Sequence, residues 1–165
     1  MPELPEVETV RRGLSELIIG KVVALVSHDT PKSFPNAKQE VESFLISATI
    51  SDIRRRAKVL IIDLSNDYSL LIHLKMTGQL VYVGDVRFGA GHPNDSLVHT
   101  LPDKSTRVSF TFEDGSQLFF NDQRKFGWVR LMPRIEIPNI DFMKKVGPEP
   151  LEAGFSAAEF ASRFA

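Results

Sequence analysis

Four stretches of this sequence carry residue types that could do chemistry, and the first is its beginning, Pro2-Glu3-Leu4-Pro5-Glu6-Val7-Glu8. With the initiator methionine removed, as is common before a small residue, Pro2 offers a free secondary amine. An α-amino group titrates at roughly 7.7–8.0, against about 10.4 for lysine. A useful fraction is therefore neutral near pH 7 and able to form a Schiff base at electrophilic carbon. Glu3 beside it and Glu6 one helical turn on could move protons. The plainer reading is that these acids only complement the positive end of a helix.

The second stretch is Arg54-Arg55-Arg56-Ala57-Lys58. If extended, it puts Arg54, Arg56 and Lys58 on one face, a row suited to a phosphate backbone or to a solvated strand edge. The third is His73-Leu74-Lys75-Met76-Thr77-Gly78. Alternation makes Met76 a core methionine unless the strand stops at Thr77-Gly78; His73 is a phosphate donor or an ordinary surface residue. The fourth is Asn121 to Gly127, with Arg124, Lys125 and Phe126 after a strand. An enzyme that extrudes a base from a duplex must fill the gap, and an apolar wedge does so. Phe126 could be that wedge with Arg124 hydrogen-bonding the orphaned base, or a core residue in a turn.

These residues need a scaffold. Val7, Val10, Leu14, Leu17 and Ile18 draw one stripe on a helix over Glu6–Gly20. Strands are expected over 21–26, 48–57, 58–64, 69–76, 79–83, 106–112, 117–121 and 126–132, with a short helix over 36–45. The polar, Gly/Pro-containing stretch 85–102 reads as a long loop. Short strands with few helices between them favour a mainly β fold with flanking helices (α+β), an antiparallel sandwich with an N-terminal helix, over a parallel sheet. Ser156 and Glu159 form a capping-box pattern that opens a further helix at the end of the chain.

Composition narrows the function classes. The 165 residues are 42% hydrophobic and 25% charged, enough for a sizeable core. Twenty Lys+Arg against 21 Asp+Glu leave a net charge of −1, which by itself argues against a general nucleic-acid coat. There is no cysteine, hence no disulfide, thiolate nucleophile or cysteine-bound zinc. No apolar run approaches a membrane span and the acidic start is unlike a secretory signal. There is no P-loop, no Gly-x-Ser-x-Gly and no His pair at zincin spacing.

Taken together, PELPEVE at 2–8, RRRAK at 54–58, HLKMTG at 73–78, DQRKFG at 122–127 and GPEPL at 147–151 resemble the N-terminal domain of the formamidopyrimidine-DNA glycosylase family. The related endonuclease VIII branch, acting on oxidised pyrimidines, opens differently and lacks the Arg-x-Phe motif. The resemblance implies a bacterial base-excision enzyme, a bifunctional glycosylase and abasic-site lyase for 8-oxoguanine and formamidopyrimidines in double-stranded DNA. It implies that Pro2 attacks the sugar C1′, that Glu3 assists ring opening with Glu6 in support, and that Lys58 assists β-elimination. By the same resemblance His73 and Lys125 hold phosphates around the flipped nucleotide, and Met76, Arg124 and Phe126 fill the void. Arg54 and Arg56 are added as DNA-backbone candidates.

The expected division is a catalytic domain over 1–150, followed at 151–165 by the start of a linker and first helix. Those would lead to a helix–two-turn–helix and a zinc finger that this chain does not contain. No cofactor is expected in this chain itself; zinc belongs to that finger. A monomer, cytoplasmic and near the nucleoid, with no membrane contact, is expected, inactive as this piece alone. A non-catalytic damaged-DNA-binding domain is the alternative. The chain departs from the family in having Lys75 where a glycine is usual, Gln123 for a proline, Lys125 for an arginine and Ser105 for a DNA-binding histidine.

Overall fold

The computed structural model describes residues 3–140 and Met143. Helix α1 spans Leu4–Leu17 and buries Val7, Val10 and Leu14, the stripe read from the sequence. Pro5 lies in its first turn, where a missing N–H costs nothing. Nine strands follow: β1 Val23–His28, β2 Ile50–Arg56, β3 Val59–Leu64, β4 Tyr68–His73, β5 Gly78–Val83, β6 Arg87–Gly91, β7 Thr106–Phe112, β8 Gln117–Asp122 and β9 Trp128–Pro133. A short helix α2, Lys38–Phe44, lies between β1 and β2.

The strands form two antiparallel sheets, one of five in the order β1-β7-β8-β5-β6 and one of four in the order β2-β3-β4-β9. Their facing side chains make one core: Leu80, Phe110, Phe112 and Phe120 from the first sheet meet Ile53, Leu60, Ile62, Ile72 and Val129 from the second, and α1 closes one side. Each such side chain, fully buried, contributes about 1.5–3 kcal/mol relative to exposure. A second, smaller core of Val59, Ile61, Leu71, Ile137 and Met143 covers the outer face of the four-stranded sheet. That is why β3, Val-Leu-Ile-Ile-Asp-Leu, is apolar without alternation: it is buried on both faces.

Three expectations need correction. Residues 85–102 are not one loop, because Arg87–Gly91 pairs with β5 as an edge strand. Its glycines hid it; its Phe88 ring lies against Gly13 of α1, where a Cβ would collide with it. Strand β4 does not run to Met76 but stops at His73, so alternation never applied to Met76. Nor is 54–58 extended throughout: β2 ends at Arg56, and Ala57 turns the chain with φ +52°. The Ser156–Glu159 helix, the 147–151 motif and the boundary at 150 lie outside the described residues. Among the described residues no helix is long and apolar enough to cross a membrane.

Candidate active site

Strand register brings the motifs to one end of the sandwich. Arg56 pairs with Val59, Val59 with His73 and His73 with Trp128, so the β2–β3 turn, the end of β4 and the start of β9 lie side by side. In the other sheet Gly78 pairs with Asp122, which puts the 74–77 and 123–127 turns next to each other at the same end.

The start of α1 reaches this end. Glu3 is its N-cap, extended and without a capping hydrogen bond of its own side chain. Its carboxylate instead lies 3.4 Å from the ammonium of Lys58, at the β2–β3 turn. Glu6 is half-buried in the first helical turn. Pro2 lies outside the described residues; the residue that follows it belongs to the Glu3–Lys58 pair.

His73 is buried, 5% exposed, with its ring edge-on to Trp128. Its Nδ1 accepts the backbone N–H of Lys75 at 3.1 Å. Burial first, then the charges of Lys75 and Lys58, bring its pKa down to about 4. The ring is thus neutral at pH 7, and with Nδ1 accepting, its proton sits on Nε2, a donor.

Beside it rises a ridge. Met76 is 38% and Phe126 45% exposed. The Phe126 ring lies between two cations, the Arg124 guanidinium 5.0 Å and the Lys32 ammonium 5.6 Å from its centroid. Lys125 next to it is exposed, with φ +59°. An exposed aromatic on a turn is the opposite of a core phenylalanine, so the plainer reading of Phe126 and of Met76 does not hold.

The ridge is held from beneath by a residue that no reading of the sequence singled out. Asp122, fully buried, accepts the Thr77 hydroxyl at 2.5 Å and the Gly127 N–H at 2.6 Å. Thr77 Oγ1 in turn accepts the backbone N–H of Arg124 at 3.0 Å. One carboxylate therefore ties the two turns together. Gly127 is required for this approach, since a Cβ there would come within 2.6 Å of the His73 carbonyl oxygen.

The arginines of 54–56 divide in a way alternation did not show. Arg54 makes a two-pronged pair with Asp63, 2.7 and 3.2 Å, and Asp63 also accepts Ser69 Oγ at 2.7 Å. Arg54 thus serves the outer face of the sheet. Arg56 is half-buried at the end of β2, toward the Lys58 turn. Arg55, which the face argument passed over, has a side chain only 8% exposed and binds Glu8. Glu8 also takes Arg11 and Arg12. Arg11, with Arg55 and Arg12, outweighs burial and holds the Glu8 carboxyl at about 2. Its spacing to Arg11 and Arg12 was a visible signal; its tie to Arg55 was not.

At the position of the family's histidine, Ser105 is buried and its hydroxyl donates to Asp103 at 2.6 Å. Its hydrogen bond is spent inside the protein. For zinc there is no donor set here: the chain has no cysteine, and among the described residues no three His, Asp or Glu side chains gather to hold a metal ion.

Fold and site define a class, an antiparallel β-sandwich domain with an N-terminal helix whose first acid pairs with a lysine at the same end as a cationic, aromatic ridge. The comparisons make this specific: residues 1–129 match the formamidopyrimidine-DNA glycosylase N-terminal domain, and the chain belongs to that family. It is 40% identical over 165 residues to the formamidopyrimidine-DNA glycosylase of Rhodopseudomonas palustris, covering 98% of this chain and 55% of the relative. Against the Streptococcus mutans enzyme of the same name it is 35% identical over 161 residues, covering 97% and 54%. The chain thus spans about half the length of the curated relatives it matches. The Lactococcus lactis enzyme in complex with DNA containing an abasic site superposes with a TM-score of 0.75 at 29% identity, over 98% of this chain and 54% of that one. The same enzyme with DNA containing an oxidised pyrimidine gives 0.74 at 31%, over 90% and 51%.

Proposed function

We propose that this chain forms the catalytic N-terminal part of a bifunctional DNA glycosylase and abasic-site lyase acting on oxidised purines in double-stranded DNA. The observation that carries the reading is the Glu3–Lys58 pair, which joins the start of the chain to the β2–β3 turn beside an exposed wedge. An N-terminal amine there needs an acid and a cation within reach, and both are present.

The steps follow from the groups. Extruding a nucleotide costs a few kcal/mol in unstacking and unpairing. Phe126, Met76 and Arg124 offset it by filling the gap, with Arg124 directed at the orphaned base. The secondary amine of Pro2 attacks C1′ of the extruded sugar, and the bond from C1′ to the base breaks, the base leaving with the electron pair and taking up the proton that the amine nitrogen gives up. Glu3 supplies a proton to the ring oxygen as the sugar opens, leaving an iminium on Pro2. Lys58, 3.4 Å from Glu3, assists the following β-elimination and carries positive charge toward the lesion's phosphate. Neutral His73 donates a hydrogen bond to phosphate without the desolvation cost of a buried charge, and Lys125 adds a cation on the other side. No step here runs through zinc, for which the described residues offer no site. The expected setting is the bacterial cytoplasm, as a monomer on DNA.

The test uses the gene product containing this chain, with removal of Met1 verified by mass spectrometry. Borohydride should trap a covalent adduct with a duplex bearing 8-oxoguanine opposite cytosine, and Pro2→Gly should abolish it. No adduct, or one indifferent to Pro2→Gly, overturns the assignment. Duplex binding without any adduct favours a non-catalytic damaged-DNA-binding domain instead.

A further inference from the structure

Arg55 and Glu8 sit 47 positions apart in sequence and meet at the joint between α1 and the β2–β3 hairpin. Arg55 Nε donates to Glu8 Oε1 at 3.1 Å, while its Nη1 donates to the carbonyl of Ala57 at 3.0 Å. One rigid guanidinium fork thus binds the helix with one prong and the turn with the other. Glu8 is itself fixed: Arg11 reaches both its oxygens, at 2.9 and 2.7 Å, and Arg12 reaches Oε2 at 3.0 Å. These neighbours along the helix leave the carboxylate no freedom to swing from Arg55.

Each prong ends on the element that carries one half of the Glu3–Lys58 pair. Glu8 follows Glu3 on the same helix, whose rise of about 1.5 Å per residue makes the separation rigid. Ala57 immediately precedes Lys58 and holds the left-handed conformation, φ +52°, that aims it. Any drift of the helix along the hairpin would change the Glu3–Lys58 distance first. Arg55 cannot reach a bound duplex, because its side chain is 8% exposed.

We propose that Glu8 and Arg55 are positioning residues for the amine chemistry, a clamp that sets the amino-terminal acid against Lys58. The inference rests on the glycosylase/lyase reading above. It predicts a loss in the covalent step with little loss in DNA affinity, which neither a phosphate contact nor a simple stability role would produce. Misplacing reacting groups by about 1 Å can cost on the order of 100-fold in rate.

The experiment compares Arg55→Met, Arg55→Lys and Glu8→Gln in the same gene product with Met1 removed. Single-turnover borohydride trapping on an abasic-site duplex gives the rate. Titration with a duplex holding a tetrahydrofuran abasic analogue gives the affinity. Arg55→Met should slow trapping by about 100-fold while the Kd changes less than about threefold. Arg55→Lys should recover only part of the rate, because a point charge cannot serve Glu8 and the Ala57 carbonyl together. Glu8→Gln, which keeps the shape and weakens the grip, should slow trapping by about tenfold, and it decides the matter if Arg55→Met does not fold. The clamp is overturned by trapping within threefold of the parent, or by a rate loss matched by an equal loss of affinity or folded protein. Absence of an adduct in the parent protein overturns the glycosylase reading itself, and the clamp with it.

Discussion

The two ends of the sandwich are built from the same strands yet differ in charge and in backbone. At the end away from the candidate site, the turns carry Asp67, Asp85, Glu113 and Asp114. They are self-contained: Asp114 accepts the Ser116 N–H at 2.9 Å and pairs with Lys21, which holds its carboxyl below the usual range. Left-handed φ values there fall on Gly20, Ser47, Asp67 and Gly115, three of them types that adopt them readily. At the site end the turns carry Lys32, Lys58, Lys75, Arg124 and Lys125. Left-handed φ values fall on Ala57, Lys75 and Lys125, which gain nothing locally from that conformation. One end closes the sheets in the manner easiest for the chain. The other holds strained backbone and a cluster of cations, an arrangement suited to an anion. A net charge near zero conceals this, being the sum of two unlike ends.

The largest test of that contrast is a matched pair of lysines. Lys58→Met should lower adduct formation by at least about 100-fold, the range of a lost proton-transfer group. Lys21→Met, at the far end, should leave it within about twofold. Next is the support of the ridge. Asp122→Ala strands the buried Thr77 hydroxyl and Gly127 N–H and should cost about 2–4 kcal/mol in urea unfolding. Protection from hydrogen exchange should fall first in 74–78 and 122–127, while the far turns keep theirs.

The pH dependence distinguishes two groups near the site. His73 is held neutral by burial, with a folded pKa of about 4 below its unfolded value of 6.5. The unfolded chain therefore binds a proton first as pH falls. Stability should drop by about 2 kcal/mol between pH 7 and 5 on this account and flatten below pH 4. His73→Gln should remove that slope. Glu8, held at about 2 against 4.5, acts lower: its contribution is complete above pH 4.5 and is lost as pH falls toward 2. The smallest effect expected is a gain. Lys75→Gly relieves a left-handed lysine and should raise stability by about 1 kcal/mol, read as a higher Tm. The usual glycine of the family at this position has its reason in that φ of +53°.

Much of the scaffold was legible because burial imposes periods. The α1 stripe, the strand at 106–112 and most other strands follow from spacing alone. Strand β6 was not legible, since Gly89 and Gly91 read as punctuation while their small size lets an edge strand pack closely on β5. Met76 looked like a core residue by parity and proved to be exposed, because parity says nothing past the residue where a strand stops; Phe126, readable as a core residue in a turn, is exposed too. The family motifs carried the site residues, but not their allocation. Arg54 and Arg55 have identical chemistry, and only their partners, Asp63 and Glu8, separate a brace on the outer sheet face from a clamp on α1.

By itself, then, the sequence determined the fold class, the helix at its start and the family, through local periods and short motifs. Tertiary structure alone decided which end of the sandwich is cationic, that Glu3 meets Lys58, and that Asp122 and Arg55 support the residues around them. The physical reason is that antiparallel register converts distant positions into neighbours. A hydrogen bond between groups far apart along the chain leaves no period for the sequence to show.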